Sequence, residues 1–243
     1  MRVALPVLAP PWIVVHHTVE RVLVSRWPGR LLWVRVALPS SDEERAAMAR
    51  ASKELLPDAS YTRAIAVDVL EELSPSVLFG SHGDEVIRVI ESGLALDEQI
   101  ASELASARHP AADREYSKAW NRWLAQQPEF AHYQDQDHTS TLAITGAGAT
   151  DSPVGHGLLL IWHMVTNSAE HRGSAGSFTV DEDDERVLTE PWSSALSALL
   201  DTAMAYGAPH VVDSNAATVL TAAWNTVFHP ERADRLDTPP EQS

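Results

Sequence analysis

The sequence predicts an α+β fold: a small antiparallel sheet near the N-terminus, built from a hairpin plus one or two further strands, then a mainly helical remainder. Two observations carry this. Residues 12–38 (WIVVHHTVERVLVSRWPGRLLWVRVAL) are rich in Val, Ile, Leu and Trp, and Trp27-Pro28-Gly29-Arg30 interrupts them with turn chemistry. In the later part of the chain, apolar residues recur at the three- and four-residue spacing of helices buried on one side.

Taken in order, Pro6, Pro10 and Pro11 confine the first residues to an edge or a loop. In LLWVRV, alternation places Leu32, Val34 and Val36 on one face and Leu31, Trp33 and Arg35 on the other. His16 and His17 sit in the first strand, so at most one faces a core, and a lone strand histidine reads as structural before it reads as a ligand. Ser40, Ser41, Asp42, Glu43 and Glu44 open a helix, because serine caps and early acids suit its free N–H groups and dipole. That helix ends before Pro57. Residues 61–67 read as a strand and 68–73 as a short helix ahead of Pro75.

Residues 76–79 read as a short strand or turn opening a helix over 84–92, with Gly93 as its closing residue. Phe79-Gly80-Ser81-His82-Gly83 is one glycine short of a nucleophile elbow. Helix-cap chemistry, with Ser81 as cap and Asp84 and Glu85 serving the dipole, explains the same residues. Helices follow over 94–108 and 111–127, the second with Trp120 and Trp123 on one face.

The stretch 141–171 holds a glycine loop, three histidines and the most apolar run of the chain. The loop fits neither phosphate fingerprint: Asp151 stands where Gly-x-Gly-x-x-Gly needs its last glycine, and no Gly-Lys-Ser/Thr follows. Asp151-Ser152-Pro153 opens a helix well, although the apolar residues 158–165 also suit a buried strand. On a helix, His156 and His163 lie two turns apart, roughly 10 Å, too far to share one metal. Residues 177–180 suit a short strand, and the acidic run 181–185 a solvated loop. The last helices span 191–206 and 214–228. The division expected is an α+β part over 1–93, a mainly helical part over 94–232 packed on it or continuous with it, and a flexible tail over 233–243.

Composition narrows the function. The chain has no cysteine, which removes disulfides, thiolate metal sites and cysteine nucleophiles. It carries neither a signal peptide's uninterrupted apolar core nor a membrane-length apolar run, and reads as a cytoplasmic protein. The net charge of −16 disfavours direct nucleic-acid binding. Residues 1–39 depart from this, with five arginines against Glu20 alone, a balance of +4, so the rest carries −20.

Three functions compete. The first is a non-catalytic protein-binding or regulatory module, docking through the basic hairpin residues Arg21, Arg26, Trp27, Arg30 and Arg35. The second is a metal-dependent, hydrolase-like enzyme. His132, Asp135, Asp137 and His138 are the densest run of nitrogen and oxygen ligands, and His82 or His163 could act as base. The third is a nucleic-acid mimic that arrays carboxylates in place of phosphates. No cofactor is specified by any motif.

Overall fold

The computed structural model describes residues 1–19, 22, 24, 26–53, 61–126, 153–182 and 184–229. The His132–His138 ligand run, the glycine loop of residues 146–151, Arg21 and the tail 233–243 lie outside these residues. The α+β class holds: short antiparallel sheets accompany a larger helical part. The chain divides into two compact units, Met1–Leu78 and Phe79–Ser243.

The first unit is built around one long, bent stretch of extended chain. Strand β4 (Tyr61–Ala64) and strand β5 (Ala66–Leu73) are separated only by the buried Ile65. β5 is the middle of a three-stranded sheet, between β1 (Arg2–Ala4) and β3 (Leu31–Val36). β4 pairs instead with β2 (Ile13–His16). All these pairings are antiparallel. Val3 opposes Val67, Val36 opposes Val67 from the other side, and Val34 opposes Val69. These cross-strand pairs give the sheet one apolar face. The face opposite carries Arg35 against Asp68 at 3.2 Å.

Two expectations fail here. Residues 68–73 are strand, not helix. The register passes from Trp33 opposite Glu71 to Val34 opposite Val69, which leaves Leu70 as the extra residue of a β-bulge. A bulge resets the two-residue alternation, so VDVLEEL loses the period that identifies a strand. The expected hairpin also does not close: β2 and β3 pair with β4 and β5, never with each other. Helix α1 (Asp42–Lys53) packs on β4 through small residues, Ala47 and Ala51. It opens as expected: Ser41 Oγ accepts from the Glu44 amide at 3.1 Å, and the Glu44 carboxylate accepts from the Ser40 amide and hydroxyl. Those hydrogen bonds hold the Glu44 carboxyl below its ordinary range.

The second unit is a helical assembly. Its helices are α2 (Gly83–Ala95), α3 (Glu98–Ala107), α4 (Ala112–Leu124), α5 (Pro153–Arg172), α6 (Trp192–Gly207) and α7 (Ser214–Phe228). A hairpin of β6 (Phe178–Val180) and β7 (Arg186–Leu188) precedes α6, and the Asp181 amide donates to the Glu185 carbonyl across its turn. α6 packs against all five other helices. Eleven of its sixteen residues are buried, which is why its sequence is dominated by Ala, Leu and Ser rather than by one apolar stripe.

Residues 158–165 are helix, which settles the alternative left by their apolar run. α2 and α5 approach closely where glycine permits it. A Cβ on Gly93 would stand 3.2 Å from Met164 Cβ, and one on Gly157 would stand 3.0 Å from Val86 Cγ1. Gly93 is therefore a helix-contact residue inside α2, not the residue that ends it. The end of α2 is satisfied by α5: Arg172 Nη1 donates to the carbonyls of Leu94 (2.7 Å) and Leu96 (3.0 Å), and Ser168 Oγ donates to that of Gly93 (2.9 Å). The fully buried Trp224 indole donates to Ser92 Oγ at 3.0 Å, tying α7 to α2.

Candidate functional site

The first unit keeps its apolar residues near solvent. Among the described residues nine large hydrophobic side chains are exposed, and all but Val180 belong to residues 1–78. The reason is local. The buried side chains of this unit are mostly alanines, with Ile65, Val67 and Leu78, so its core is thin and its larger residues remain at the rim.

Several of them surround a cavity of about 550 Å3. Val3, Val67 and Val69 contribute from β1 and β5. The walls are residues 13–17 of β2 and its end, and residues 30–34 of β3 and its start. Val3, Val67, Val69 and Val34 belong to cross-strand pairs on one face of the three-stranded sheet, so the cavity lies over that apolar face, with β2 as its further wall.

At one end of the cavity, Arg30 Nε donates to the Glu72 carboxylate at 2.9 Å, and a second guanidinium nitrogen bonds its other oxygen. The pairing raises the Arg30 pKa and lowers that of Glu72. His17 Nε2 shares a 2.7 Å hydrogen bond with Thr62 Oγ1. His16 and His17 both line the cavity, and His16 also lies against the Tyr61 ring, 6.2 Å between centroids. Trp33, 54% exposed, stands beside it. A smaller cavity of about 210 Å3 is lined by Arg26, Trp27, Gly29 and Arg30 among others.

The sequence-derived site residues distribute as follows. Of the basic residues expected to dock a partner, Arg30 and Arg35 are engaged with Glu72 and Asp68, Arg26 and Trp27 line the smaller cavity, and Arg21 lies outside the described residues. His82 is the exposed N-cap residue of α2, a place expected for Ser81, and its side chain makes no cap hydrogen bond. His163 is half-buried on α5 with its ring edge-on to Trp162, and burial lowers its pKa. Neither His82 nor His163 lines either of the two cavities described above. The proposed ligand run at His132, Asp135, Asp137 and His138 lies outside the described residues, and among the described ones no three His, Asp or Glu side chains stand together to hold a metal.

One group escaped sequence reasoning. Asp201 projects from the middle of α6, 3% exposed, and accepts from Arg108 Nε at 2.9 Å. Arg108 also bonds Asp113 at 2.6 Å. Burial pushes Asp201 up to about 6 against the pull of Arg108. A lone aspartate in LLDTAMA is the only signal it leaves in the sequence.

Among the described residues no helix is long and apolar enough to cross a membrane. No protein-family model, no curated protein and no solved structure matches the chain.

Proposed function

We propose that the chain is a non-catalytic protein-binding or regulatory module and that its first unit is the binding part. The observation that carries this reading is the concentration of exposed apolar side chains in residues 1–78, several of them grouped about one cavity. Grouped exposure of this kind marks interaction surfaces, whereas scattered single residues do not. Trp33 lines the cavity and the Arg35–Asp68 pair lies two residues along the same strand, an aromatic anchor beside a polar rim. A cysteine-free chain suits a reducing compartment, and the reading is of a cytoplasmic protein.

The test is quantitative capture from the native cell with the full chain as bait. Trp33→Ser and Leu70→Asp alter exposed positions of the first unit, and Val180→Ser alters an exposed position of the second. A partner that is retained by wild type and Val180→Ser, and lost with both first-unit variants, is expected. An identical captured set for all four baits would sink the reading.

A further inference from the structure

We infer that the cavity over the apolar face of β1, β5 and β3 is a binding site for one small, uncharged, mainly hydrocarbon molecule, such as a medium-chain alcohol. The inference goes beyond the protein-binding reading and does not depend on it.

The floor of the cavity sets the chemistry. Val3 opposes Val67, Val34 opposes Val69, and Val67 and Val69 lie two residues apart, so all four present methyl groups to one side of the sheet. Between residues 66 and 69, β5 is bonded on one side to β1 and on the other to β3, and the Val69 amide donates to the Met1 carbonyl at 2.7 Å. The main chain there is used within the sheet and offers the cavity little to bond. Water over such a floor lacks partners, because a buried water makes about three hydrogen bonds. A peptide strand laid on it would bury its own N–H and C=O groups against methyl groups, which is costly. A hydrocarbon body carries no such groups. The volume of about 550 Å3 suits a small molecule, whose sites span roughly 300–1,000 Å3 and are mostly apolar with a few placed polar groups.

The polar groups set the charge. Alternation continued back from β3 puts Arg30 on the side of Leu32 and Val34, and Glu72 opposes Leu32, so the Arg30–Glu72 pair stands at the end of the apolar face. Among the described residues, Arg30 is the one Lys, Arg, Asp or Glu side chain on the lining, and two of its nitrogens bond both oxygens of Glu72. An anion entering there meets Glu72 and a cation meets Arg30, so this end favours neither sign. His17 is likewise engaged, by Thr62 Oγ1 at 2.7 Å. The ligand therefore needs no charge and at most one hydroxyl.

N-phenyl-1-naphthylamine, an uncharged dye that fluoresces in apolar surroundings, is the probe, titrated into the full chain. Saturable binding of one dye per chain is expected, reversed by 1-decanol. Sodium decanoate and decyltrimethylammonium carry the same length of chain with opposite charges. Each is expected to need at least roughly tenfold more than 1-decanol for half displacement, because its charge gains no partner. The site is located by filling it. Val69→Phe enlarges the floor and is expected to weaken dye binding at least roughly tenfold, whereas Val180→Ser in the second unit binds as wild type does. Val3→Phe fills the same space from β1, where 40% exposure leaves room for the change, and carries the test if Val69→Phe does not fold. No saturable binding, or dye binding that survives the filling variants, would overturn the site. Displacement by decanoate or by the ammonium as effective as by the alcohol would overturn the uncharged ligand and with it the proposal. Capture of a protein partner, lost with Trp33→Ser and Leu70→Asp, is read in a separate experiment, so either reading can fail alone.

Discussion

Asp201→Asn tests which of two opposed forces governs the centre of the helical unit. Burial favours the neutral acid, and the Arg108 guanidinium at 2.9 Å favours the carboxylate. With burial dominant, the folded-state value is about 6. An unfolded aspartate titrates near ~3.9. Between those values the folded chain holds a proton that the unfolded chain has released. The stability linked to Asp201 is therefore complete below ~4 and is lost as pH rises to about 6. About two pH units at ~1.4 kcal/mol each give roughly 3 kcal/mol. Asparagine occupies the same space and does not titrate. Asp201→Asn should thus gain stability relative to wild type as pH rises from 4.5 to 6.5, and the gain should level off above that range. Urea unfolding at several pH values, followed by tryptophan fluorescence, reads this unit directly, because Trp120, Trp192 and Trp224 are fully buried within it. Other carboxylates cancel, being common to both chains. A relative gain for wild type as pH rises would refute the reasoning: it would mean that attraction to Arg108 exceeds the cost of burial. The expected sign agrees with the general finding that a buried ion pair often stabilises less than a neutral pair of the same shape.

The close approach of α2 and α5 makes a second expectation. Alanine is the better helix former by about 1 kcal/mol, yet Gly93→Ala should lower the melting temperature, because its Cβ would stand 3.2 Å from Met164 Cβ, an atom fixed to the α5 backbone. Gly93→Val should cost more, about 1–3 kcal/mol from overpacking, and a rise in melting temperature for both variants would disprove the contact. At His163 the sign with pH is opposite to that at Asp201. Burial lowers its pKa, so its contribution is present above the unfolded value of ~6.5 and lost as pH falls. His163→Gln should lose less stability than wild type between pH 7 and pH 5, and parallel unfolding curves for the two chains would refute this.

What could be read from the sequence followed from local chemistry. The start of α1 was legible because Ser40, Ser41 and Glu44 satisfy the first-turn amides themselves, within five residues. The final two helices were legible because their apolar residues keep helical period and their ends carry turn residues. Gly93 was misread because a glycine that ends a helix and one that admits a neighbouring helix leave the same letter. Only the position of Met164, seventy-one residues later, separates the two roles. Asp201 was invisible for the same reason, since its partner Arg108 is ninety-three residues away.

The failed hairpin is the most instructive case. Trp27-Pro28-Gly29-Arg30 offers a turn, and the flanking residues have strand composition, so local rules favour pairing of β2 with β3. Pairing is decided by cross-strand side chains, and those were supplied from elsewhere. Val67 and Val69 give β3 an apolar partner face, and the Tyr61–Ala64 segment takes β2. Leu70 then shifts the register within β5. Both strands are thus taken by a distant segment, and a local hairpin signal is overruled by a longer-range sheet whose pairing no run of neighbouring residues announces.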